Sequence, residues 1–537
     1  MVAAAGSRRQ ALRIAIEEFD GGALAKRWRP GFYNIGRNFD GRYGIPGPRE
    51  VADLTGIAAG YRIIKIIKSF DINIAVTTNS TDTRVYRKET TWVLSATIST
   101  RVATDAISFN NVIAVAFGAS FAYQFATDTG AGALSFSAST KTTADADRAN
   151  YFWLQTSGVP IPRVVYTRNP NEVYWTEDLT NGDATGVQPT FVGDYATTQQ
   201  KLTSVCHDRT GRLLVGGRHD LFDVNIADGI VTNLTNEHFD DPSPDAGGQS
   251  DRDNFEGPVA VGNKIYYPLG YDIGEWDPAT QKFNRYMAPR HSNPDMPRAD
   301  LPVNCLASAG GWLIAFLGSK TASTLKSVTY ASGGGAHLAN SFTTASEMWI
   351  GSYIGEEWVW HGILLECTNP LRGAFFDEDD SYLTMFSGDS ESADLQSTRC
   401  LFYTENPLYR STSSAVVLNN GTWEVELGMI DAGRPFDNKV LEQWKCDVMG
   451  LSGTRGTNPS LELEFKITDG LDSAAFESLA TYYLGREART GNRFQKNRTF
   501  QELHLKLVGV GTGDTYAIFK KGELTGYFED TPDRVAA

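Results

Sequence analysis

The chain of 537 residues has few cysteines, few histidines and no long apolar run, and each shortage excludes a class of protein. The cysteines are Cys206, Cys305, Cys367, Cys400 and Cys446. Because they are odd in number, widely spaced and never in a Cys-x-x-Cys pair, they predict reduced thiols instead of a disulfide framework or a zinc site. No two histidines lie four residues apart, and no window approaches the roughly 18 apolar residues of a membrane-spanning helix.

Positive charge and catalytic signatures are also scarce. The net charge of -15 argues against a surface that holds nucleic acid, because phosphate binding needs clustered Lys and Arg. The chain has neither a P-loop, nor a dinucleotide-binding Gly motif in a strand-to-helix context, nor a Gly-x-Ser-x-Gly nucleophile elbow. The first 22 residues lack the apolar run of a signal peptide. We therefore expect a chain that folds in a reducing cytosol, without a cofactor and without enzymatic activity.

The sequence is rich in glycine, with 52 residues, and in short apolar runs separated by turn residues, which is typical of an all-β protein. Two stretches align without a gap: "GRLLVGGRHDLFDVNIADGIV" at 211–231 and "NKIYYPLGYDIGEWDPATQKF" at 263–283. Each continues into a second strand, a tight turn and a third strand. We interpret the pair as the inner strands of adjacent, equivalent units of a repeat.

Turn residues precede further apolar runs at intervals of about 40 to 60 residues, which brackets the roughly 40 to 50 of a four-stranded propeller blade. These turn residues are Asp71, Asn111, Asn171, Gly211, Asn263, Gly311 and Gly362. The spacing predicts a six- or seven-bladed β-propeller over 71–410. A set of β-sandwiches with irregular spacing is the alternative.

The two ends of the chain differ from this middle. Residues 411–537 contain strands that alternate cleanly, such as "SLELEFKIT" at 460–468, and predict a β-sandwich-like domain with a short helix at 472–485. Residues 1–70 carry twelve Lys and Arg against six Asp and Glu. We expect an extended basic arm that docks on the propeller or on a neighbouring subunit, and removing residues 1–40 should then leave a folded monomer.

Few residues are candidates for a site. An acidic loop at 236–257 contains Asp240, Asp241, Asp245, Asp251 and Asp253, whose oxygens are weak candidates for Ca²⁺ ligands, although acidic loops are usually only solvated. The segment "FFDEDDS" at 375–381 has the same ambiguity. His207 and His219 stand beside Asp208 and Asp220, which favours a role in turn capping, or as polar residues with hydrogen-bond partners, over metal binding. Arg27, Trp28 and Arg29 are candidate assembly contacts, because Arg and Trp are enriched in interfaces.

The ends taken together resemble bacteriophage tail-associated β-propeller proteins. The resemblance rests on "FDGGAL" and "RPGFYNIGRNFDGRYGIPG" near the N-terminus, and on "WEVELGMIDAGRPFDNKVLEQWKCDVMG", "SLELEFKITDG" and "FQKNRTFQELHLKLVG" near the C-terminus. The resemblance would place a strong Arg-Pro-Gly element at the end of the arm, and this chain has "YGIPGPRE" there instead. The resemblance implies a virion structural protein of the nozzle, adaptor or tail-tip class, made in the host cytoplasm, that forms a ring with itself and other tail proteins. DNA would at most pass through its channel.

Two other functions remain open at this stage. A carbohydrate- or receptor-binding module would use aromatic stretches such as "NYFWLQ" at 150–155 and "EEWVWHG" at 356–362 to contact a host-surface glycan. A propeller glycosidase would place paired carboxylates at the mouth of the channel.

Overall fold

The computed structural model is built from strands throughout its described part, which confirms the prediction of an all-β chain. The described residues are 11–16, 19, 21–23, 29–30, 32–52, 56–140, 147–168, 172–180, 185–187, 202–217, 219–225, 229–235, 254–270, 272–287, 289, 303–318, 346–354, 357–367, 371–387, 397–407, 418, 421–432, 438–449, 459–468, 476–482, 490–511 and 517–528. None of the described residues forms a helix long and apolar enough to cross a membrane.

Seven antiparallel meanders follow one another along the chain, and we number them sheets 1 to 7. Sheet 1 contains Arg62–Ser69, Ile72–Thr78, Thr83–Lys88 and Trp92–Ile98. Sheet 2 contains Asp105–Phe109, Val112–Ala116, Gln124–Thr127 and Ser137–Ala138, and a small pair, Gly118–Ala122 with Arg148–Ala149, lies beside it in sequence. Sheet 3 contains Tyr151–Gln155, Arg163–Arg168, Glu172–Thr176 and Thr185–Val187.

The remaining sheets repeat this order. Sheet 4 contains Leu202–His207, Leu213–Gly217, Leu221–Val224 and Val231–Asn233. Sheet 5 contains Val259–Val261, Lys264–Leu269, Asp272–Asp277 and Lys282–Met287. Sheet 6 contains Val303–Ala309, Trp312–Gly318, Ser346–Ile354 and Glu357–Cys367. Sheet 7 contains Leu371–Asp377, Tyr382–Ser387 and Ser397–Leu401, and its fourth strand is Glu50–Ala52 from near the N-terminus.

The two aligned stretches occupy equivalent positions in neighbouring sheets. Leu213–Gly217 and Lys264–Leu269 are the second strands of sheets 4 and 5, as the alignment predicts. The first strands of sheets 1 to 4 contact the adjoining sheets, and so do the second strands of sheets 3 and 5, so the interpretation of the two stretches as inner strands stays a prediction. The two stretches are equivalent parts of two successive units of the repeat.

Each junction between successive sheets is filled by its own cluster of buried apolar side chains. Six clusters lie in turn between sheets 1 and 2, 2 and 3, 3 and 4, 4 and 5, 5 and 6, and 6 and 7. A seventh cluster joins Phe386 of sheet 7 to Ile63, Ile66 and Tyr86 of sheet 1. Sheets stacked in this way bury the apolar residues of both faces, which one small sheet cannot do alone.

Charged pairs reinforce the junction between the last and first sheets. Lys68 of sheet 1 pairs with Asp379, and its Nζ lies 3.7 Å from Asp377. Lys88 pairs with Asp380 at 3.0 Å. The acidic turn at 375–381 therefore contacts lysines of sheet 1.

The C-terminal part of the chain forms two further layers around one core. One layer consists of Ala11–Ile16, Ile518–Phe528, Lys439–Met449 and Thr490–Phe500. The other consists of Ile35–Arg37, Thr422–Glu426, Glu502–Val510, Ser460–Thr468 and Glu477–Tyr482, and it continues from the last strand of sheet 6. We call these two layers the terminal β-domain, and because they share a nine-stranded sheet with sheet 6, the domain is fused to the sheet array.

The N-terminal segment is part of this domain, which corrects the expectation of an arm without a core. Leu12, Ile14 and Ile16 point into the core of the terminal β-domain, where Tyr33 and Phe39 are also buried. Deleting residues 1–40 would remove these side chains, so the deletion would disturb folding instead of testing assembly alone. The burial of these side chains argues against the expectation that a folded monomer remains.

Arg42 fixes the next part of the segment against the sheets. Its guanidinium donates to Asp40 at 3.0 and 2.8 Å, and both side chains are almost fully buried. The rings of Tyr43, Trp312 and Phe402 surround the guanidinium at 4.7, 5.2 and 4.8 Å. A second small pair, Phe39–Asp40 with Ile45–Pro46, flanks this residue. Because a buried charge needs a partner, this cluster locks "FDGRYG" in place.

Two further expectations change. The helix at 472–485 is wrong in its described part, because Glu477–Tyr482 is a strand that pairs with Ser460–Thr468. The division at residue 70 cuts a hairpin, since Arg62–Ser69 pairs with Ile72–Thr78 in sheet 1. In both places a strand pairs with its neighbour along the chain, so strand pairing overrides the local pattern.

Candidate functional site

A cleft of about 500 Å³ opens between sheets 3 and 4. It is lined by Gln155, Gly158, Arg163, Trp175, Gly211, Arg212, Leu213, Asp223, Val224 and Asn225. We call it the 3/4 cleft. Its volume lies within the range of about 300 to 1,000 Å³ that small-molecule sites occupy.

Two glycines hold the loops of this cleft together. Gly158 has a φ of 70° and Gly211 a φ of 88°. A Cβ atom on Gly211 would overlap the Cα of Gly158. Gln155 adds a hydrogen bond from its Nε2 to the carbonyl oxygen of Gly211 at 3.1 Å. The loop after the first strand of sheet 3 is thereby fixed against the loop after the first strand of sheet 4.

Arg163 is the main cation of the cleft. Its Nε donates to Oε1 of the buried Gln155 at 2.8 Å, and its guanidinium lies 4.5 Å from the ring centroid of Trp175. Burial lowers the pKa of Arg163, against the opposing charge of Glu177. Among the described residues, no acceptor contacts the two terminal nitrogens of Arg163. The side chain is therefore oriented by packing while part of its hydrogen-bonding capacity stays available.

The opposite wall carries Arg212 and Asp223. The Nε of Arg212 lies 3.4 Å from Oδ2 of Asp223, and both side chains are partly exposed. Burial raises the pKa of Asp223, Arg212 lowers it, and Asp208 raises it further. The net shift is upward, so Arg212 compensates the buried carboxylate only in part.

Polar side chains near the cleft connect adjacent sheets. Asp208 caps its own turn by accepting from the backbone N–H groups of Thr210 and Arg212 at 2.9 and 3.1 Å. Its second oxygen accepts from Nε1 of Trp276 in sheet 5 at 3.0 Å. Asp220 accepts from the side chains of Asn233 and Thr235, so Asp208 has the predicted turn-capping role and Asp220 the predicted role of a polar residue with hydrogen-bond partners. They support the scaffold of the cleft without lining a metal site.

The predicted calcium residues lie outside the described part of the chain, namely Asp240, Asp241, Asp245, Asp251 and Asp253. Within the described part, no group of three or more His, Cys, Asp or Glu residues could hold a metal ion. Cys206, Cys305, Cys400 and Cys446 are not in disulfide bonds. Burial raises the pKa of Cys206 to about 12, so this thiol is unreactive in the folded chain.

The predicted assembly residues are only partly described. Arg27 and Trp28 lie outside the described residues, and Arg29 is exposed. In the aromatic stretches, Phe152 is buried in the cluster between sheets 2 and 3. Trp358 stacks on Trp360, with ring centroids 5.2 Å apart. These rings pack between sheets, so they offer less open surface than a sugar-stacking platform needs.

Sequence reasoning missed the cleft residues Arg163 and Trp175. They come from the second and third strands of sheet 3, whereas Gly211 and Arg212 lie between the first and second strands of sheet 4. The signal that could have found them is "SGVPIPR" at 157–163, a long turn that ends in an arginine. This turn lies beside Gly211 because sheets 3 and 4 have the same strand order and pack side by side, and the sequence alone does not show that packing.

No family model and no curated protein matches the chain. Among solved structures it is similar to a streptogramin B lyase, at 10% identity and a TM-score of 0.42, over 66% of this chain and 97% of that chain. It is similar to a chain of a mitotic checkpoint complex, at 10% identity and a TM-score of 0.43, over 71% and 95%. It also matches the extracellular domain of a B. thetaiotaomicron hybrid two-component system, at 10% identity and a TM-score of 0.42, over 79% of this chain but only 44% of that one. Similarity at this level carries no argument about function.

Proposed function

We propose that this protein is a structural subunit of a bacteriophage tail, that its seven sheets are the blades of a closed β-propeller, and that it assembles into a ring through its terminal β-domain. Closure is supported by the cluster between sheets 7 and 1 and by the ion pairs across that junction. The strand Glu50–Ala52 adds further support, because it completes sheet 7 from the N-terminal side of sheet 1.

The observation that carries the assembly proposal is an open strand edge. Ala11–Ile16 lies at the edge of its sheet and pairs on one side with Ile518–Phe528. No described strand pairs with its other side. An edge of this kind presents backbone donors and acceptors that a strand of another chain can extend. Its exposed face carries little charge, since Ala11 and Ala15 flank the single Arg13.

The tail assignment rests on the sequence resemblance, and the architecture is compatible with it. The nine-stranded sheet joins sheet 6 to the terminal β-domain, and apolar side chains of the N-terminal segment, such as Tyr33 and Phe39, are buried in the core of that domain. Such a fusion would suit a virion subunit, because a force on the sheet array is transmitted directly to the terminal β-domain. Its partners would be further copies and other tail proteins, and catalysis is not part of the proposal.

Substitution of Ala15 by Lys tests the assembly proposal. Ala15 is exposed, and Glu523 opposite it already pairs with Arg13 at 2.6 Å, so a lysine at position 15 adds a positive charge to the strand edge. We expect mass photometry to show rings for the natural chain and single chains for A15K. A far-UV circular dichroism spectrum should stay that of a folded β-protein.

The matched control is Leu94→Lys, in the outermost strand of sheet 1. Leu94 is 48% exposed and also lies on a sheet edge. L94K should assemble as the natural chain does. If L94K abolishes rings and A15K does not, the subunits meet through sheet edges of the propeller and the proposed interface is wrong.

A carbohydrate- or receptor-binding role is the second candidate function. The 3/4 cleft favours it, because the cleft combines two arginines, an aromatic ring and polar side chains. A glycosidase has less support there, since the lining contains one carboxylate, Asp223, whereas glycoside hydrolysis usually takes two.

A further inference from the structure

We propose that the 3/4 cleft binds a carboxylate-bearing saccharide of the uronic acid class, with the ligand carboxylate between Arg163 and Arg212. This inference does not depend on the tail assignment or on ring assembly. It rests on the charge of the cleft, the orientation of its arginines and the mixed lining.

The charge of the cleft is opposite in sign to that of the whole chain. Its lining contains two arginines and one aspartate, while the chain carries a net charge of -15. A local excess of positive charge in an acidic protein selects an anion at that place. Arginine binds a carboxylate through a planar pair of N–H groups, which distinguishes it from a lysine point charge.

The side chain of Arg163 is already oriented for binding a carboxylate. Gln155, which is 2% exposed, fixes Nε of Arg163, and Trp175 fixes the plane of the guanidinium. No described carboxylate neutralises it within ion-pair distance, whereas the other lining arginine, Arg212, has Asp223. A group oriented before binding loses little conformational entropy when the ligand arrives.

The rest of the lining fits a sugar ring better than a bare anion. Asp223 uses one oxygen on Arg212 and keeps acceptor capacity for a hydroxyl group. Asn225 stands at the exposed rim, and Trp175 supplies an apolar wall. A cavity of about 500 Å³ is larger than a simple inorganic anion needs.

Saturation-transfer difference NMR with D-glucuronate and the full-length protein tests the proposal. D-Glucose, which lacks the carboxylate, and acetate, which lacks the ring, are the two ligand controls. Glucuronate should bind more tightly than either. Arg163→Gln and Arg212→Gln should each weaken glucuronate binding roughly tenfold, the order expected for loss of a charge-assisted hydrogen bond.

Arg209→Gln is the matched protein control. Arg209 lies in the same turn as Arg212, is exposed and does not line the cleft. R209Q should bind glucuronate as the natural chain does, and Arg163→Lys should recover only part of the affinity lost in R163Q, because lysine lacks the planar fork.

Three results would overturn the proposal. They are equal binding of glucuronate and acetate, equal binding of glucuronate and glucose, or an equal loss in R209Q and R163Q. Absence of glucuronate binding to a natural chain that still forms rings would reject the ligand and leave the assembly proposal intact. Thermal melting of each variant shows whether a loss of binding reflects unfolding.

Discussion

At the scale of single residues, the sheets are linked by polar contacts at the junctions as well as by apolar packing. Trp153 of sheet 3 donates from Nε1 to Nδ1 of His207 in sheet 4 at 2.7 Å. Burial lowers the pKa of His207, and Asp208 opposes the shift. The hydrogen bond needs an unprotonated Nδ1, so the contact between the two sheets depends on pH.

The prediction for His207 concerns stability below neutral pH. Because its folded pKa lies below the unfolded value of about 6.5, the unfolded chain binds more protons in that range and stability falls as the pH is lowered. His207→Gln keeps an acceptor for Trp153 and does not titrate. Between about pH 7.5 and 5.5 the natural chain should lose more stability than H207Q.

Denaturant unfolding of both chains at several pH values measures this difference. Parallel loss of stability in the two chains would show that His207 does not titrate between the folded and unfolded states. A larger loss in H207Q would contradict the sign of the shift.

At the scale of elements, turns decided which strands could be predicted. Sheets 1, 2 and 6 have two-residue turns between their first and second strands, and both central residues have positive φ. These turns are Phe70–Asp71, Asn110–Asn111 and Gly310–Gly311. They are typical of type I′ hairpins, which leave a strong local signal.

The strands that the sequence did not predict are not preceded by such a turn, or they pair with strands that are far away in the sequence. In sheet 3 the first turn runs over seven residues from Gln155 to Arg163, so the pattern pointed to Asn171 before the third strand instead. Gly362 lies inside Glu357–Cys367, the fourth strand of sheet 6. The places of Ala11–Ile16 and Glu50–Ala52 could not be predicted, because their partners lie more than 300 residues away. The cleft residues could not be predicted either, because Arg163 and Arg212 belong to different sheets and come together only when sheets 3 and 4 pack against each other.

The prediction at this scale compares two glycines in first turns. Gly211 and Gly262 both have positive φ, at 88° and 61°. Only Gly211 meets a neighbour, since a Cβ on Gly262 would stand in open space. Gly211→Ala should therefore cost about 1 to 3 kcal/mol more than Gly262→Ala, the usual range for overpacking.

Urea unfolding of both variants gives this comparison. An alanine is strained at both positions, somewhat more at Gly211 with its φ of 88° than at Gly262 with 61°, and the contact between the loops of sheets 3 and 4 adds to this difference. Equal costs would mean that these loops do not touch, and the 3/4 cleft would then lose one of its walls.

At the scale of the whole molecule, the two ends of the chain hold the body together. The first described strand belongs to the terminal β-domain, Glu50–Ala52 belongs to sheet 7, and the next strand opens sheet 1. Contacts of such long sequence separation are costly to form and link distant parts of the chain in one core. The N-terminal segment is therefore part of the fold, and its outer edge is the surface we assign to assembly.

Cryo-electron microscopy of the purified full-length protein tests the central claim most directly. The account predicts closed rings in which each subunit carries seven sheets around one axis and meets its neighbour at the Ala11–Ile16 edge. Two results would contradict it. The first is single subunits at concentrations where a tail component assembles, and the second is a subunit in which sheets 7 and 1 do not contact each other.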